Sequence, residues 1–302
     1  MQNEVITIFG GTGFVGRHII KHLVKNNYQI QIICRDPEAG NYLKTFGDTG
    51  QIVLTKYDIT KEDELEKLLT NTTIVINLVG ILFEKGKYNF KNIHVKAPSN
   101  LAKICAKLKI KQFIHFSALG VEENQSNYAK SKFEGEKLIL ESFPNAVIIR
   151  PSIIFGAEDN FINKFIRMAK ISPFLPLIGN GKTKFQPVFV DDISKIIEII
   201  IKNNITKRII ELAGPKIYSF KEILNLIKKT MSKKRHLINI PFEIASLIGS
   251  ICNLLPNPIL TNDQVRSLRY DNIIKNDNNT KFSDFNIVPK SLEDEIVKYF
   301  IK

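Results

Sequence analysis

The stretch Ile6 to Arg17, Ile-Thr-Ile-Phe-Gly-Gly-Thr-Gly-Phe-Val-Gly-Arg, places three glycines directly after an apolar run. Val5 to Ile8 has the length and β-branching of a buried strand, and His18 to Leu23 has the pattern of a helix. In the order strand, glycine turn, helix, the unpaired N–H groups at the start of the helix and the positive end of its dipole attract a pyrophosphate. The stretch therefore predicts a dinucleotide site, and a plain loop is the alternative.

The glycines have separate roles in such a turn. Gly10 suits the tight turn, Gly13 the close approach of backbone to ligand, and Gly16 the packing of the helix against the strand. The residues that we assign to this part of the cofactor site are those of the turn and the start of the helix: Gly10, Thr12, Gly13, Phe14, Val15 and Gly16.

Composition limits the kind of protein. The chain has 302 residues, 44% of them hydrophobic, and no uninterrupted apolar run of about eighteen residues that would span a membrane. With 43 basic and 30 acidic residues its net charge is +13, which favours an anionic partner such as a nucleotide or a membrane surface, whereas no nucleic-acid-binding module accompanies the charge. The first strand leaves no room for a signal peptide, and three widely spaced cysteines, Cys34, Cys105 and Cys252, fit a reducing cytosol. We expect a cytoplasmic protein.

The end of the second predicted strand, Gln29 to Cys34, decides between the two nicotinamide dinucleotides. In a dinucleotide fold this position meets the adenosine ribose. Arg35 follows the strand here, and its planar guanidinium suits a 2′-phosphate, so we expect NADP(H) to be preferred, with Arg17 as a second positive charge. Asp36 is the competing choice, because a shift of one residue would place its carboxylate on the ribose of NAD(H); otherwise it is a turn residue before proline.

The following segments alternate strand and helix as far as a fifth strand. Ile52 to Tyr57 and Thr73 to Leu78 read as strands, Lys61 to Leu69 and Asn100 to Leu108 as helices, and Gln112 to Phe116 as the fifth strand. The alternation predicts an α/β fold of the Rossmann type, a doubly wound parallel sheet followed by a smaller C-terminal substrate or interaction domain. We place the NAD(P)-binding domain at residues 1–155, with a returning segment near 186–212, and the smaller domain at 156–302.

Two strand ends supply further cofactor contacts. Asp58 and Ile59 follow the third strand and would meet the adenine, although Asp58 is equally suited to capping a helix. Val79 and Gly80 follow the fourth strand, where a glycine permits close approach of the backbone to a ligand.

A tyrosine and a lysine follow the fifth strand with helical spacing. Tyr128 and Lys132 are four residues apart and would share one helix face. A lysine ammonium beside a phenol lowers the phenol pKa and prepares it for proton transfer, and Ser117 supplies a hydroxyl nearby. The alternative is an ordinary amphipathic helix. We assign Tyr128, Lys132 and Ser117 as the candidate catalytic residues.

The chain resembles the extended short-chain dehydrogenase/reductase superfamily. The resemblance rests on the glycine turn, Tyr128-x-x-x-Lys132, Arg150-Pro151-Ser152-Ile153-Ile154-Phe155-Gly156 and Val190-Asp191-Asp192-Ile193. It implies that the tyrosine is the acid/base, that the lysine also holds the nicotinamide ribose, and that Pro151 and Ile153 back the nicotinamide. Two features depart from it: Ala118 stands where typical members carry a catalytic Ser or Thr, with Ser117 one residue early, and the loop from Ala118 to Tyr128 is short.

A narrower resemblance accounts for both departures. Four strings resemble an atypical branch of this superfamily that contains the nucleotide-binding accessory subunit of respiratory complex I: Asn77-Leu-Val-Gly-Ile81, His115-Phe-Ser-Ala-Leu-Gly120, Gly179-Asn-Gly-Lys-Thr-Lys-Phe-Gln-Pro187-Val-Phe-Val190 and Leu260-Thr-Asn-Asp-Gln-Val265. In that branch the Tyr/Lys pair persists without full catalytic machinery, and bound NADPH is structural. The resemblance implies a partner in complex I, or a quinone-synthesis complex.

The last third combines charge with apolar residues. Ser219 and Glu222 form a capping box ahead of a helix over Ile223 to Lys229. A basic cluster (Lys228, Lys229, Lys233, Lys234, Arg235) precedes an apolar helix over Phe242 to Leu255, and Asp271 to Asn279 reads as a loop. The helix would dock on the inner face of the cytoplasmic membrane or on a hydrophobic partner. The alternative is a lid packed on the substrate domain.

Two hypotheses follow from the sequence. In the first, the chain binds NADPH structurally and serves a membrane respiratory or quinone-related complex. In the second, it is an active NADP-dependent oxidoreductase or epimerase that uses Tyr128 and Lys132 on a quinone precursor, lipid-like or sugar-nucleotide substrate. The histidines have no spacing typical of metal ligands, so no metal site is predicted.

Overall fold

The computed structural model of the chain describes residues 4–61, 63–231, 234–275 and 279–299. In chain order the strands are β1 Val5–Phe9, β2 Gln29–Cys34, β3 Ile52–Lys56, β4 Ile74–Asn77, β5 Gln112–Phe116, β6 Val147–Pro151, β7 Ile154–Phe155, β8 Phe174–Ile178, β9 Lys184–Phe185, β10 Val188–Phe189, β11 Arg208–Leu212, β12 Tyr218–Ser219 and β13 His236–Ile240. The α-helices are α1 Phe14–Leu23, α2 Pro37–Gly40, α3 Leu65–Leu69, α4 Ala97–Lys107, α5 Asn127–Ser142, α6 Ile162–Ile171, α7 Val190–Lys202, α8 Phe220–Thr230, α9 Phe242–Cys252, α10 Asn262–Ser267 and α11 Leu292–Ile296.

A central sheet with the strand order β11-β6-β5-β4-β1-β2-β3 forms the main layer. The neighbouring pairs from β3 through β6 are parallel, so the carboxyl ends of these strands lie at one edge. The strand order reverses between β1 and β4, and open α/β sheets bind ligands at such a switch point. The predicted α/β fold with a doubly wound parallel sheet is confirmed.

The core of the sheet consists of the apolar runs that identified the strands. Every residue of β5 and β6 is buried, as strands covered on both faces require. On one face, Val75 and Phe113 pack in a cluster with Leu101 of α4 and Ile139 of α5. Helices therefore shield the sheet from water and leave its carboxyl edge to the loops.

The chain divides into two compact units. The first comprises residues 1–117, 131–150 and 193–210, and the second comprises 118–130, 151–192 and 211–302. Three two-stranded pairs, β7–β10, β9–β12 and β8–β13, accompany α6 and α8 to α11 in the later part of the chain. We expect the NAD(P)-binding domain to end at residue 155, and this domain boundary stays a prediction.

Some predicted helix bounds are wrong. The helix expected over Lys61 to Leu69 begins only at Leu65, because Glu64 takes a left-handed backbone conformation with φ of 67°. The helix expected from Asn100 begins at Ala97 and continues a π-helical turn over Lys91–Lys96. The helix expected to reach Leu255 ends at Cys252. Two predicted segments are described only in part. Lys233 of the predicted basic cluster and residues 276–278 of the predicted loop lie outside the described residues.

The capping box ahead of α8 is confirmed. The Ser219 hydroxyl accepts from the Glu222 N–H, and the Glu222 carboxylate accepts from the Ser219 N–H, which satisfies two N–H groups at the helix start. No helix among the described residues is both long and apolar enough to cross a membrane.

Candidate dinucleotide site

The glycine turn lies where β1 ends beside β4. Gly10 has a positive φ of 79°, and a Cβ there would lie 3.3 Å from the backbone nitrogen of Val79. The Gly13 N–H donates to the Gly10 carbonyl at 3.0 Å, which closes the turn directly before α1. At Gly16 a Cβ would lie 2.5 Å from the Gly11 carbonyl oxygen, so only glycine lets α1 pack this closely against the turn. Positions 10 and 16 therefore require glycine for local geometry, as the sequence indicated.

The start of α1 is open to an anion. Gly13 is its N-cap, no side chain caps the first turn, and that turn holds no acidic residue. A Cβ built on Gly13 would meet only the Gly10 carbonyl oxygen, at 3.2 Å, within 4 Å. Thr12, Phe14 and Val15 are partly buried around this end. The N–H groups of the first turn and the helix dipole are thus available to a pyrophosphate.

At the end of β2 an arginine lies beside an aromatic ring. The Arg35 guanidinium lies over the Tyr88 ring, 4.7 Å from its centroid, and the Lys87 ammonium lies 5.2 Å from the same centroid. Asp36 is the N-cap of α2, and its side chain accepts from the Ala39 N–H at 3.2 Å. Arg35 and Lys87 therefore lie at one aromatic ring, whereas the Asp36 carboxylate, the alternative ribose ligand, caps α2.

Asp58 lies in the same neighbourhood after β3. One of its oxygens accepts from the Thr60 N–H and hydroxyl, and the other accepts from Lys87 at 2.6 Å and the Tyr88 hydroxyl at 2.8 Å. These hydrogen bonds outweigh partial burial and hold the pKa of Asp58 far below its usual range. Ile59 is partly buried next to it. Asp58 therefore links β3 to the 85–88 turn, and its contact with adenine stays a prediction.

Beyond β4, a histidine supports the loop that carries Val79 and Gly80. The His94 Nε2 accepts from the Ile81 N–H at 3.0 Å, so its Nδ1 carries the proton and lies 2.9 Å from the Ser131 hydroxyl. Burial, reinforced by the nearby Lys132, lowers the pKa of His94 far below its usual range, so the ring stays neutral. His94 lies in the π-helical turn, a local irregularity that recurs at functional sites.

Lys132 is buried close to the same loop. Its ammonium donates to the Phe116 carbonyl at 3.0 Å, and a Cβ on Gly80 would lie 3.2 Å from the Lys132 Nζ. Burial lowers the pKa of Lys132 to about 8, although the Glu136 carboxylate one turn on opposes the shift. The ammonium is thus anchored to the end of β5.

Two buried polar atoms at the carboxyl end of β5 have no hydrogen-bond partner among the described residues. They are the Ser117 hydroxyl oxygen and the His115 Nε2. Asn77 donates to the His115 Nδ1 at 3.1 Å, which assigns the proton to Nε2. Buried polar groups are normally satisfied, so orphaned atoms at the ligand edge of the sheet fit a site that a polar ligand completes.

In the second unit, a carboxylate fixes the start of α5. The N–H groups of Asn127 and Tyr128 donate to the two oxygens of Asp263, at 2.7 and 2.9 Å. Tyr128 and Lys132 therefore lie on one continuous helix with the predicted spacing. The expected lowering of the Tyr128 pKa is wrong for the chain alone, because burial raises the pKa of Tyr128 to about 12.

An asparagine that the sequence placed in a loop organises the segment after β6. The Asn272 Oδ1 accepts from the Ser152 hydroxyl at 2.7 Å and the Ile153 N–H at 3.0 Å, while its Nδ2 donates to the Leu119 carbonyl at 2.9 Å. This clamp holds Ser152 and Ile153, which directly follow Pro151. Pro151 and Ile153 are the pair that we expect to back the nicotinamide.

Sequence reasoning missed three supporting residues, His94, Asp263 and Asn272. Of these, only Asp263 lies in a segment that carried the family resemblance, Leu260 to Val265. Nothing in that segment indicated that Asp263 caps α5. The described residues hold no group of His, Cys, Asp or Glu suited to a metal ion. The donors that are present, namely backbone N–H groups, an arginine and a lysine, fit a phosphorylated dinucleotide.

Comparison with known proteins identifies the class. Residues 6–213 match the NAD dependent epimerase/dehydratase family, and the chain belongs to that family. Membership indicates that it binds a nicotinamide dinucleotide. The recognised resemblance to extended short-chain dehydrogenases/reductases is thereby confirmed.

The chain is also similar to particular members. It is 31% identical to NADH dehydrogenase (ubiquinone) 1 alpha subcomplex subunit 9, mitochondrial, of Arabidopsis thaliana, over 99% of this chain and 77% of that protein. It is 32% identical to the Mus musculus protein of the same description, over 97% of this chain and 78% of the relative. The NADPH-dependent quinone oxidoreductase of Escherichia coli, solved with NADPH, matches with a TM-score of 0.77 and 19% identity over 98% of this chain and all of that one, which shows the shared fold.

Proposed function

We propose that the chain is an NADPH-binding protein of the complex I accessory subunit type, which holds the dinucleotide mainly as a structural group. It associates with a membrane respiratory or quinone-related complex. The observation that carries this proposal is the incomplete catalytic set: Ala118 stands where the resembled enzymes carry a Ser or Thr hydroxyl, and burial raises the pKa of Tyr128. Lys132 donates to the Phe116 carbonyl. Similarity to alpha subcomplex subunit 9 over nearly the whole chain supports the same function.

The chemistry of proton transfer favours this function over catalysis. A tyrosine acts as a general acid/base when its pKa lies near the working pH. A pKa near 12 leaves Tyr128 a neutral phenol at pH 7, which can hydrogen-bond to a ribose or amide but seldom gives a phenolate. When bound, the nicotinamide would supply hydride-transfer chemistry, and the residues of this chain would position it. The raised pKa disfavours Tyr128 as a general base, because the phenol keeps its proton at neutral pH.

The grouping of Arg35, Lys87 and Tyr88 supports NADP(H) over NAD(H). Two cations beside one ring provide the positive charge that a 2′-phosphate requires, and the capping role of Asp36 removes the carboxylate that would favour NAD(H). The Lys87 ammonium also pairs with the Asp58 carboxylate. It would therefore donate hydrogen bonds to both Asp58 and the 2′-phosphate.

The first experiment measures which nucleotide the purified protein retains. We expect denatured protein to release NADPH, identified by absorbance and mass, and we expect quinones and other carbonyl acceptors to leave the bound NADPH unoxidised. Tyr128→Phe should leave retention unchanged. An acceptor that oxidises the bound NADPH in the wild type but not in Tyr128→Phe would instead support the oxidoreductase hypothesis.

The cofactor preference has its own test. Arg35→Ala should weaken NADPH binding at least about tenfold, equivalent to roughly 1.4 kcal/mol, and leave NADH binding unchanged. Arg208→Ala, an exposed arginine on β11, is the matched control and should change neither. Equal losses for both nucleotides with Arg35→Ala would contradict the assignment of the 2′-phosphate.

Association with the complex is tested in the source cells. A tagged chain should migrate with NADH:ubiquinone oxidoreductase activity on native gels. Migration only as the free chain, with NADPH retained, would refute the proposed association and leave the cofactor assignment standing.

A further inference from the structure

Helix α9 turns its large apolar side chains toward solvent. Ile244, Leu247, Ile248 and Ile251 are all exposed, with 63% of Leu247 and 61% of Ile251 accessible. The segment that follows adds Leu254 at 86%, Leu255 and Ile259. We call these seven residues, all within the second unit, the aliphatic face.

The same helix is fixed through its small residues. Its only buried residues are Ala245 and Gly249. A Cβ on Gly249 would lie 2.8 Å from the Asn262 backbone nitrogen, so α9 lies against the start of α10 at the closest distance that glycine allows. A lid packed on its own domain would bury the large side chains, and this helix does the opposite. The lid alternative considered from the sequence does not describe α9 in this structure.

Cations stand at both ends of the aliphatic face. At the start of α9 the Arg269 guanidinium lies over the Phe242 ring, 4.5 Å from its centroid. At the other end Lys164 donates to the Ile259 carbonyl, and the exposed Arg167 follows one turn later on α6. Glu243, the one acidic residue between positions 236 and 262, lies 3.6 Å from Arg269.

The composition of the face distinguishes between two kinds of partner. Protein interfaces concentrate binding energy in Tyr, Trp and Arg, and leucine is under-represented at their hot spots. An aliphatic helix flanked by Lys and Arg, too short to span at about 16 Å, has instead the features of a segment that lies in a bilayer interface. Its cations would meet anionic headgroups while its side chains enter the acyl boundary.

We propose that the aliphatic face docks on the surface of an anionic lipid bilayer. The inference rests on the proposed function, because a protein that associates with a membrane complex lies beside the bilayer. The occupant is the lipid itself, recognised by apolar insertion together with positive charge at the rim.

The test is flotation of the full-length protein with vesicles. We expect binding to vesicles of phosphatidylcholine with about 30% phosphatidylglycerol, at least fivefold weaker binding to phosphatidylcholine alone, and weakening at high salt because surface charge is screened. Leu247→Glu/Ile251→Glu should reduce the bound fraction at least tenfold. Val288→Glu/Val297→Glu places the same charges on exposed valines outside the face, at 88% and 49% accessibility, and should bind as the wild type does.

Two results would overturn the proposal. One is failure of the wild type to bind anionic vesicles. The other is equal loss of binding in both double variants. If the wild type forms concentration-dependent dimers that Leu247→Glu/Ile251→Glu abolishes, and binds no vesicles, the face belongs to a second copy of the chain. NADPH retention is measured on the same samples, so a wild type that retains NADPH but fails to bind anionic vesicles refutes the docking surface alone.

Discussion

Substitution of two glycines in one turn should separate cofactor binding from folding. In Gly16→Ala the new methyl group would lie 2.5 Å from the Gly11 carbonyl oxygen, where ordinary contact begins at 3.4 Å, so α1 must retreat by about 0.9 Å. Overpacking of this kind costs about 1–3 kcal/mol. In a chain of this size that should lower the melting temperature of the nucleotide-free protein by roughly 2–5 °C.

Gly13→Ala should have the opposite profile. Its methyl group meets only the Gly10 carbonyl, at 3.2 Å, and its φ of −75° suits alanine. The reduced entropy of the unfolded chain offsets this contact by about 0.4–1 kcal/mol, so the melting temperature should stay within about 1 °C of the wild-type value. The methyl group projects into the space at the start of α1. Loss of one charge-assisted hydrogen bond to the pyrophosphate, about 1.5–3 kcal/mol, would raise the Kd for NADPH roughly 10- to 100-fold.

The assays are thermal unfolding without nucleotide and isothermal titration calorimetry with NADPH. The reasoning is refuted if Gly13→Ala binds NADPH within twofold of the wild type, because the pyrophosphate then lies elsewhere. It is also refuted if Gly16→Ala unfolds at the wild-type temperature, because α1 then tolerates a side chain against the turn.

Two further predictions concern buried polar groups. Burial holds the pKa of His115 well below its ordinary value, so the unfolded chain alone gains a proton as pH falls through about 6.5, and stability is lost in that direction. Between pH 7.5 and 5.5 this loss of unfolding free energy is about 1.4 kcal/mol. Measured by urea unfolding, the unfolding free energy of His115→Gln should change by that much less over this pH range than that of the wild type. His236→Gln, which replaces an exposed histidine, is the control and should keep the wild-type pH dependence. Asn272→Ala leaves the Ser152 hydroxyl, the Ile153 N–H and the Leu119 carbonyl without their hydrogen bonds to the Asn272 side chain. This should lower the unfolding free energy by about 3 kcal/mol, measured by the same method. A cost as small as that of exposed Asn257→Ala, under about 0.5 kcal/mol, would show that the clamp contributes little.

The sequence by itself determined the sheet and the glycine turn. Gln29–Cys34 and Gln112–Phe116 were predicted with their observed bounds, because long β-branched and aromatic runs between turn residues have few other stable structures. The need for glycine at positions 10 and 16 and the Ser219 capping box were likewise readable, since each depends on residues close in the chain.

Tertiary structure decided what depends on residues far apart in the chain. Asn272 bonds Ser152 across 120 positions and Asp263 caps α5 at Tyr128 across 135, and neither pairing leaves a pattern in the sequence. The direction of the Tyr128 pKa shift also came from burial, which no spacing rule reports. The apolar residues of α9 predicted a helix, yet whether that face turned inward or outward was settled by the small residues Ala245 and Gly249, which took the inner side. A periodic sequence defines a face, whereas the partner that covers it is chosen by the packing of the whole chain.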